Sequence, residues 1–160
     1  MKTKWISDLY LELIEPFNMT LIRLIFTLLP FFLIAQENNI CGIWLEEKKQ
    51  SHIEIYQTEK GLFEGKIIWL AEPLNENGEI KKDKENPNEL LRGQTLKGLT
   101  IIKKLEYLDK NEWGNGTIYD ARSGKTYSLN ANLKNDKTLF MRGYIGFSFI
   151  GKTTTWTKVN

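Results

Sequence analysis

Thr126-Tyr127-Ser128-Leu129-Asn130-Ala131-Asn132-Leu133 alternates without interruption. A period of two puts Tyr127, Leu129, Ala131 and Leu133 on one face and small polar residues on the other, the pattern of a half-buried strand. Asn135-Asp136 turns the chain into Leu139-Phe140-Met141-Arg142-Gly143-Tyr144, which reads as the partner strand of a hairpin. Beyond Gly146 and Gly151, the β-branched run from Thr153 to Val159, with Trp156 inside it, reads as a terminal strand. Upstream, His52-Ile53-Glu54-Ile55-Tyr56-Gln57 alternates, Thr58-Glu59-Lys60-Gly61 closes it, and a long strand follows from Leu62 to Leu70. Leu96–Leu105 and Thr117–Asp120 complete the set, with Ser123-Gly124 as another tight turn. Roughly eight short strands punctuated by Gly, Asn and Asp predict an all-β domain, an antiparallel barrel or sandwich.

One stretch departs from that rhythm. Ala71 to Thr95 holds Pro73, Asn77-Gly78, a lysine-rich patch and Asn86-Pro87-Asn88, and only Glu89-Leu90-Leu91-Arg92 resembles a turn of helix. Connections of this length are uncommon in compact domains. It reads either as a lid over one barrel end or as a solvated hairpin connection.

Composition narrows the function. The 160 residues are 41% hydrophobic and 26% charged, and 22 basic against 20 acidic side chains leave a net charge of +2. Those values belong to an ordinary globular chain. Lys and Glu are interspersed rather than gathered in one basic stripe, so no nucleic-acid partner is expected. A single Cys and a single His exclude an internal disulfide and a zinc site built from those two residue types. No metal and no cofactor is expected.

The N-terminus reads as an export signal. The apolar run Leu21–Ala35 is interrupted only by Arg23, Thr27 and Pro30, and falls short of the roughly 20 residues of a bilayer-crossing helix. Arg23 stands near its start, Leu-Ile-Ala ends it, and Gln36-Glu37-Asn38-Asn39 follows at once. Charged entry, short apolar run and small residue before a polar junction describe a signal peptide. Residues 19–35 are therefore expected to be a cleaved signal helix starting at Met19, residues 1–18 an upstream extension, and residues 36–160 the barrel domain. The expected location is periplasmic or secreted, with no stable membrane span after cleavage. An uncleaved anchor helix is the other reading of the same run.

Few residues offer catalysis. His52 is the only imidazole and lies on an alternating strand beside Glu54 and Tyr56, on a surface face. Cys41, between Ile40 and Gly42, reads as a small buried hydrophobe rather than the nucleophile of a Cys41–His52 dyad. Asp83 with Asp120 or Glu72 has the chemistry of a glycosidase pair, but Asp in a turn has an ordinary structural use. Arg122-Ser123-Gly124-Lys125 lacks the strand-to-helix setting of a phosphate loop and reads as a hairpin turn. No catalytic residue is assigned, and no enzyme is expected.

A series of short motifs then carries a resemblance. Gly42-Ile43-Trp44 is followed by Gly65-Lys66-Ile67-Ile68-Trp69-Leu70, Asp83-Lys84-Glu85-Asn86-Pro87 and Leu96-Lys97-Gly98-Leu99. Next come Gly116-Thr117-Ile118-Tyr119-Asp120, Ser123-Gly124-Lys125-Thr126-Tyr127, Arg142-Gly143-Tyr144-Ile145-Gly146 and Gly151-Lys152-Thr153-Thr154-Thr155-Trp156. In order and spacing, from about residue 40 to 159, they resemble the bacterial family named domain of unknown function 2147. Ala121, where that family tends to have Pro, and Lys152, where Arg is usual, are the visible departures. The resemblance implies export and a single small calycin-like barrel, similar to those of lipocalins and fatty-acid-binding proteins. It also implies that Trp44 closes the barrel bottom, with Arg142 as the candidate to stack on it. Strand parity nevertheless puts Arg142 with Phe140 and Tyr144, opposite Leu139 and Met141.

Small closed barrels either fill with side chains or keep a cavity for one apolar ligand. The candidate lining, taken from the apolar members of alternating strands, is Trp69, Tyr127, Leu129, Leu139, Met141 and Trp156. Arg142 is the candidate for a carboxylate head group. The expected partner is an apolar small molecule such as a fatty acid. The rival is a solid barrel acting by its outer surface as a structural or interaction module of the cell envelope.

Overall fold

A computed structural model describes residues 39–159. The expected signal helix at 19–35 and the extension at 1–18 lie outside the described residues. Eight strands follow in order: β1 Gly42–Leu45, β2 Ser51–Gln57, β3 Phe63–Leu70, β4 Thr100–Asp109, β5 Glu112–Asp120, β6 Lys125–Asn135, β7 Thr138–Tyr144 and β8 Gly151–Lys158. Each pairs antiparallel with the next, and β8 returns to β1 through Trp44↔Lys158 and Leu45↔Thr157, so the sheet closes as an up-and-down barrel. Closure leaves no unpaired edge. The only regular helix among the described residues is one 3-10 turn, Glu89–Leu91, at the place where the sequence resembles helix.

Alternation decides the faces as expected. Leu129, Ala131 and Leu133 of β6, Leu139 and Met141 of β7, and Ile53 and Ile55 of β2 are all buried inside. Outside, Lys66 pairs with Glu54 at 2.9 Å across β2 and β3.

Two strands differ from the sequence reading. β4 starts at Thr100 rather than Leu96, because Leu96–Leu99 is a turn: Gly98 has φ of +92°, and the Leu99 amide donates to the Leu96 carbonyl at 3.2 Å. β5 starts at Glu112 rather than Thr117. Its first half is bulged, with Trp113 opposite Ala131 but Gly116 opposite Leu129, and Asn115 at φ of +57°. Residues that normally break a strand are here the extra residues of a bulge.

The barrel has a filled end and a hollow end. Ile40, Trp44, Phe63, Leu105, Trp113 and Leu139 pack together at the end where β2 turns into β3. Gly116 lets that plug form, since a Cβ there would lie 2.9 Å from Cα of Leu105. At the opposite end, bounded by the β1–β2, β5–β6 and β7–β8 turns, the interior opens.

Candidate ligand cavity

The open half of the barrel encloses a cavity of about 710 Å³. Its inner wall is apolar, with Ile53, Ile67, Leu129, Met141 and Trp156 contributed by β2, β3, β6, β7 and β8, and Ile101 and Ile118 by β4 and β5. Charge is confined to the mouth: Glu46, Glu72, Lys81, Asp120, Arg122 and Lys152. Lys81 pairs with Glu72 at 3.2 Å and Arg122 with Asp120 at 3.1 Å. Partial burial alone would raise the Asp120 carboxyl. Donors from Arg122 and Ser123 outweigh it and hold Asp120 below the ordinary carboxylate range.

The long connection from β3 to β4 borders this mouth, and Ala71, Glu72, Lys81 and Leu96 belong to the cavity wall. Two isolated bridges, Leu74↔Ile80 and Lys82↔Thr95, give it a partial hairpin form. It is fastened through Asp83, a fully buried carboxylate that accepts from Tyr119 Oη and from Asn86 Nδ2. A second contact sets the Glu85 carbonyl against Gly124, where a Cβ would collide with it. Asp83 is therefore a loop anchor rather than half of a carboxylate pair.

Of the residues singled out in the sequence, Tyr127, Leu129, Met141 and Trp156 come together on the cavity wall. Leu139 points inward but belongs to the filled half, where it is fully buried. Trp69 is a correction. β3 carries a bulge between the pairs His52↔Trp69 and Ile53↔Ile67, and the extra residue reverses the alternation from that point. Trp69 turns outward, 42% exposed, against the His52 ring at 4.4 Å, and Leu70 takes its place at the cavity.

Arg142 is a second correction. It lies on the outer face, where Nε donates to the Ser148 carbonyl at 2.7 Å and Nη1 to Thr153 Oγ1 at 3.0 Å. It reaches neither the cavity nor Trp44. Trp44 does plug the closed end, fully buried, with its indole N–H donated to the Ile40 carbonyl at 2.8 Å. The cation over its ring is Lys158, whose Nζ is 5.3 Å from the centroid.

The pair Cys41 and His52 is also separated. His52 sits near the mouth, while Cys41 lies beside Gln57 at the far end of β2, and burial pushes its thiol up. Missed by sequence reasoning were Ile53, Ile67, Leu70, Ile101, Ile118 and Tyr119. Ile118 was within reach of the same alternation argument that found Leu129, whereas Ile101 and Ile102 are adjacent and both buried, so β4 does not alternate there. Among the described residues, no three His, Cys, Asp or Glu side chains gather as metal ligands.

Comparison with known proteins gives the same fold. Protein HP1028 from the human pathogen Helicobacter pylori, which belongs to the lipocalin family, is 26% identical and superimposes with a TM-score of 0.66. The match covers 76% of this chain and 84% of that one. No curated protein matches the sequence significantly. The family model described as uncharacterized protein conserved in bacteria (DUF2147) matches residues 42–158, all eight strands. The chain belongs to that family, and its fold is a lipocalin-like eight-stranded barrel.

Proposed function

We propose that the protein binds a lipid-like amphiphile, such as a fatty acid, in the open half of its barrel. The observation that carries this reading is the division of the cavity into an apolar inner wall and a charged mouth. A ligand with an apolar tail and a polar head fits that division. Burying each methylene is worth about 0.8 kcal/mol, so a tail of several carbons gains enough to offset the cost of ordering it. The filled half limits how deep the tail reaches. The lipocalin membership of the Helicobacter pylori protein supports the same reading.

Binding is favoured over catalysis because the sole imidazole, His52, lies against the Trp69 ring outside the barrel. The reading includes export, with residues 19–35 removed and the barrel working in the periplasm or beyond. The test is native mass spectrometry of protein purified gently from its own host. A co-purifying species of fatty-acyl mass that leaves on denaturation is expected. Its absence, together with no uptake of any apolar probe by the delipidated protein, overturns the proposal. The same spectrum reads export, since the chain should begin within a few residues of Gln36.

A further inference from the structure

The β7–β8 connection ends in a small apolar tip. Ile145, Phe147, Phe149 and Ile150 are 63%, 68%, 75% and 59% exposed. The tip has a defined structure: the Ile150 amide donates to the Phe147 carbonyl at 2.9 Å, and Gly146 adopts φ of +68°. The Arg142 guanidinium braces it from below through the Ser148 carbonyl. The rings of Phe147 and Phe149 stack with centroids 5.5 Å apart and an interplanar angle of 7°. Ile145 and Ile150 continue from this tip onto the wall of the cavity mouth.

Four large apolar side chains held in water need a reason. Together they offer on the order of 500 Å², short of the roughly 800 Å² that each partner of a stable protein complex contributes. A narrow convex tip suits a soft apolar phase better than a flat protein face.

The charges around the tip name the phase. The segment that carries the tip, residues 142–153, contains Arg142 and Lys152 and no Asp or Glu, whereas Lys137 and Lys158 stand at the closed end of the barrel. β6 adds Lys125 at its start, while the neighbouring β5–β6 turn, with Arg122 paired to Asp120 and the Glu85 backbone against Gly124, adds no net positive charge. Among the rim acids, Glu72 and Asp120 are paired with Lys81 and Arg122, and Glu46 and Glu47 share their turn with Lys48 and Lys49. Lys152, at 3.7 Å from Glu47 and largely exposed, is a weak surface pair and stays available to a stronger anionic field.

We infer that the β7–β8 tip inserts Ile145, Phe147, Phe149 and Ile150 into the interfacial region of an anionic lipid bilayer, with Lys125 and Lys152 against its head groups. Aromatic and aliphatic side chains at the tip with cations behind them is the arrangement of interfacial anchors. The contact goes beyond the ligand reading and does not depend on it, because the tip is exposed whether or not the cavity is occupied.

The test is made on the full chain with Cys41→Ser and a single introduced thiol carrying an environment-sensitive nitrobenzoxadiazole label. Ser148→Cys reports on the tip, and Asp136→Cys, on the β6–β7 turn at the opposite barrel end, is the control. With vesicles of phosphatidylcholine and phosphatidylglycerol, emission at position 148 should rise severalfold, shift to the blue and be quenched by lipids bearing a shallow spin label. Position 136 should not respond. Adding Phe147→Ser with Phe149→Ser should weaken the apparent affinity about tenfold or more while the far-ultraviolet spectrum stays unchanged. Silence at position 148, an equal response at 136, or equal affinity for pure phosphatidylcholine overturns the inference.

Discussion

The hydroxyl of Tyr119 donates to Oδ1 of Asp83 at 2.7 Å, across 36 positions of sequence. This bond ties the long irregular connection to β5 beside the cavity mouth. Asn86 Nδ2 satisfies the other carboxylate oxygen, and the Asp83 amide donates to the Gln94 carbonyl at 2.9 Å. A buried charge left without one of its donors is costly, so the mouth's shape depends on this one phenol.

Tyr119→Phe should therefore destabilise the domain by about 1–3 kcal/mol in urea unfolding and open the 71–99 connection to proteolysis. The effect should also depend on pH. Burial first, and the bond to Asp83 second, push the Tyr119 phenol from its ordinary 10.0 up to about 12. A raised folded-state value means that the contribution is whole below pH 10 and is lost as pH rises through about 12. The stability gap between wild type and Tyr119→Phe should be constant below pH 10 and shrink above it. A gap that narrows on acidifying from pH 8 to 6 would contradict this assignment.

Gly116 and Gly143 should respond oppositely to an added methyl group. At Gly116 the new Cβ meets Cα of Leu105 at 2.9 Å, and backbone cannot give way cheaply. Gly116→Ala should cost about 1–3 kcal/mol, as overpacked cores do. At Gly143 the nearest atoms, on Ile118 and Tyr127, are at 3.7 Å, and Gly143→Ala should change the unfolding midpoint little. Equal losses at both positions would mean that the filled and hollow halves are not distinct.

Tryptophan fluorescence distinguishes the two faces of the barrel. Trp156 is buried on the cavity wall, and Trp69 lies outside against His52. Addition of a non-fluorescent fatty acid should change the emission of wild type and of Trp69→Phe alike, and Trp156→Phe should lose most of the change. The reverse pattern would place the ligand on the outer face.

Charge reversal at Arg142 should leave fatty-acid affinity within about twofold, because its guanidinium is engaged with Ser148 and Thr153 outside the barrel. A loss of tenfold or more, about 1.4 kcal/mol, would assign it the head-group role that its place in the sequence first offered.

How much was legible follows the strand period. β2, β6 and β7 alternate without a break, and so their faces, their turns and three of the cavity residues, Tyr127, Leu129 and Met141, could be read directly from the sequence, with Trp156 of β8 as the fourth. Trp69 could not. Ile67, Ile68 and Trp69 are all large and apolar, and no residue among them marks which is the extra one of the bulge. The first half of β5 was hidden for a related reason: Gly114, Asn115 and Gly116 look like a turn, and only the partner Ala131 shows that they remain in the sheet. The Asp83–Tyr119 anchor is a contact between distant segments, for which a single sequence holds no local sign. Arg142 was placed outward by parity, and the structure follows parity rather than the stacking that the resemblance offered.

Whether the hollow half of the barrel takes up an apolar tail is decided by titrating delipidated protein with a fluorescent fatty-acid analogue. Gly143→Trp is the decisive variant, because position 143 is on the cavity wall, a Cβ there makes only ordinary contacts at 3.7 Å with Ile118 and Tyr127, and an indole there would occupy the volume of the tail. Gly143→Leu serves as a smaller filling should the indole disturb the fold. Saturable uptake by wild type, lost in Gly143→Trp and weakened in Gly143→Leu with unchanged far-ultraviolet spectra, is the result predicted. Uptake that is unaffected when position 143 is filled, or no saturable uptake by wild type, would mean that the hollow half does not hold the tail.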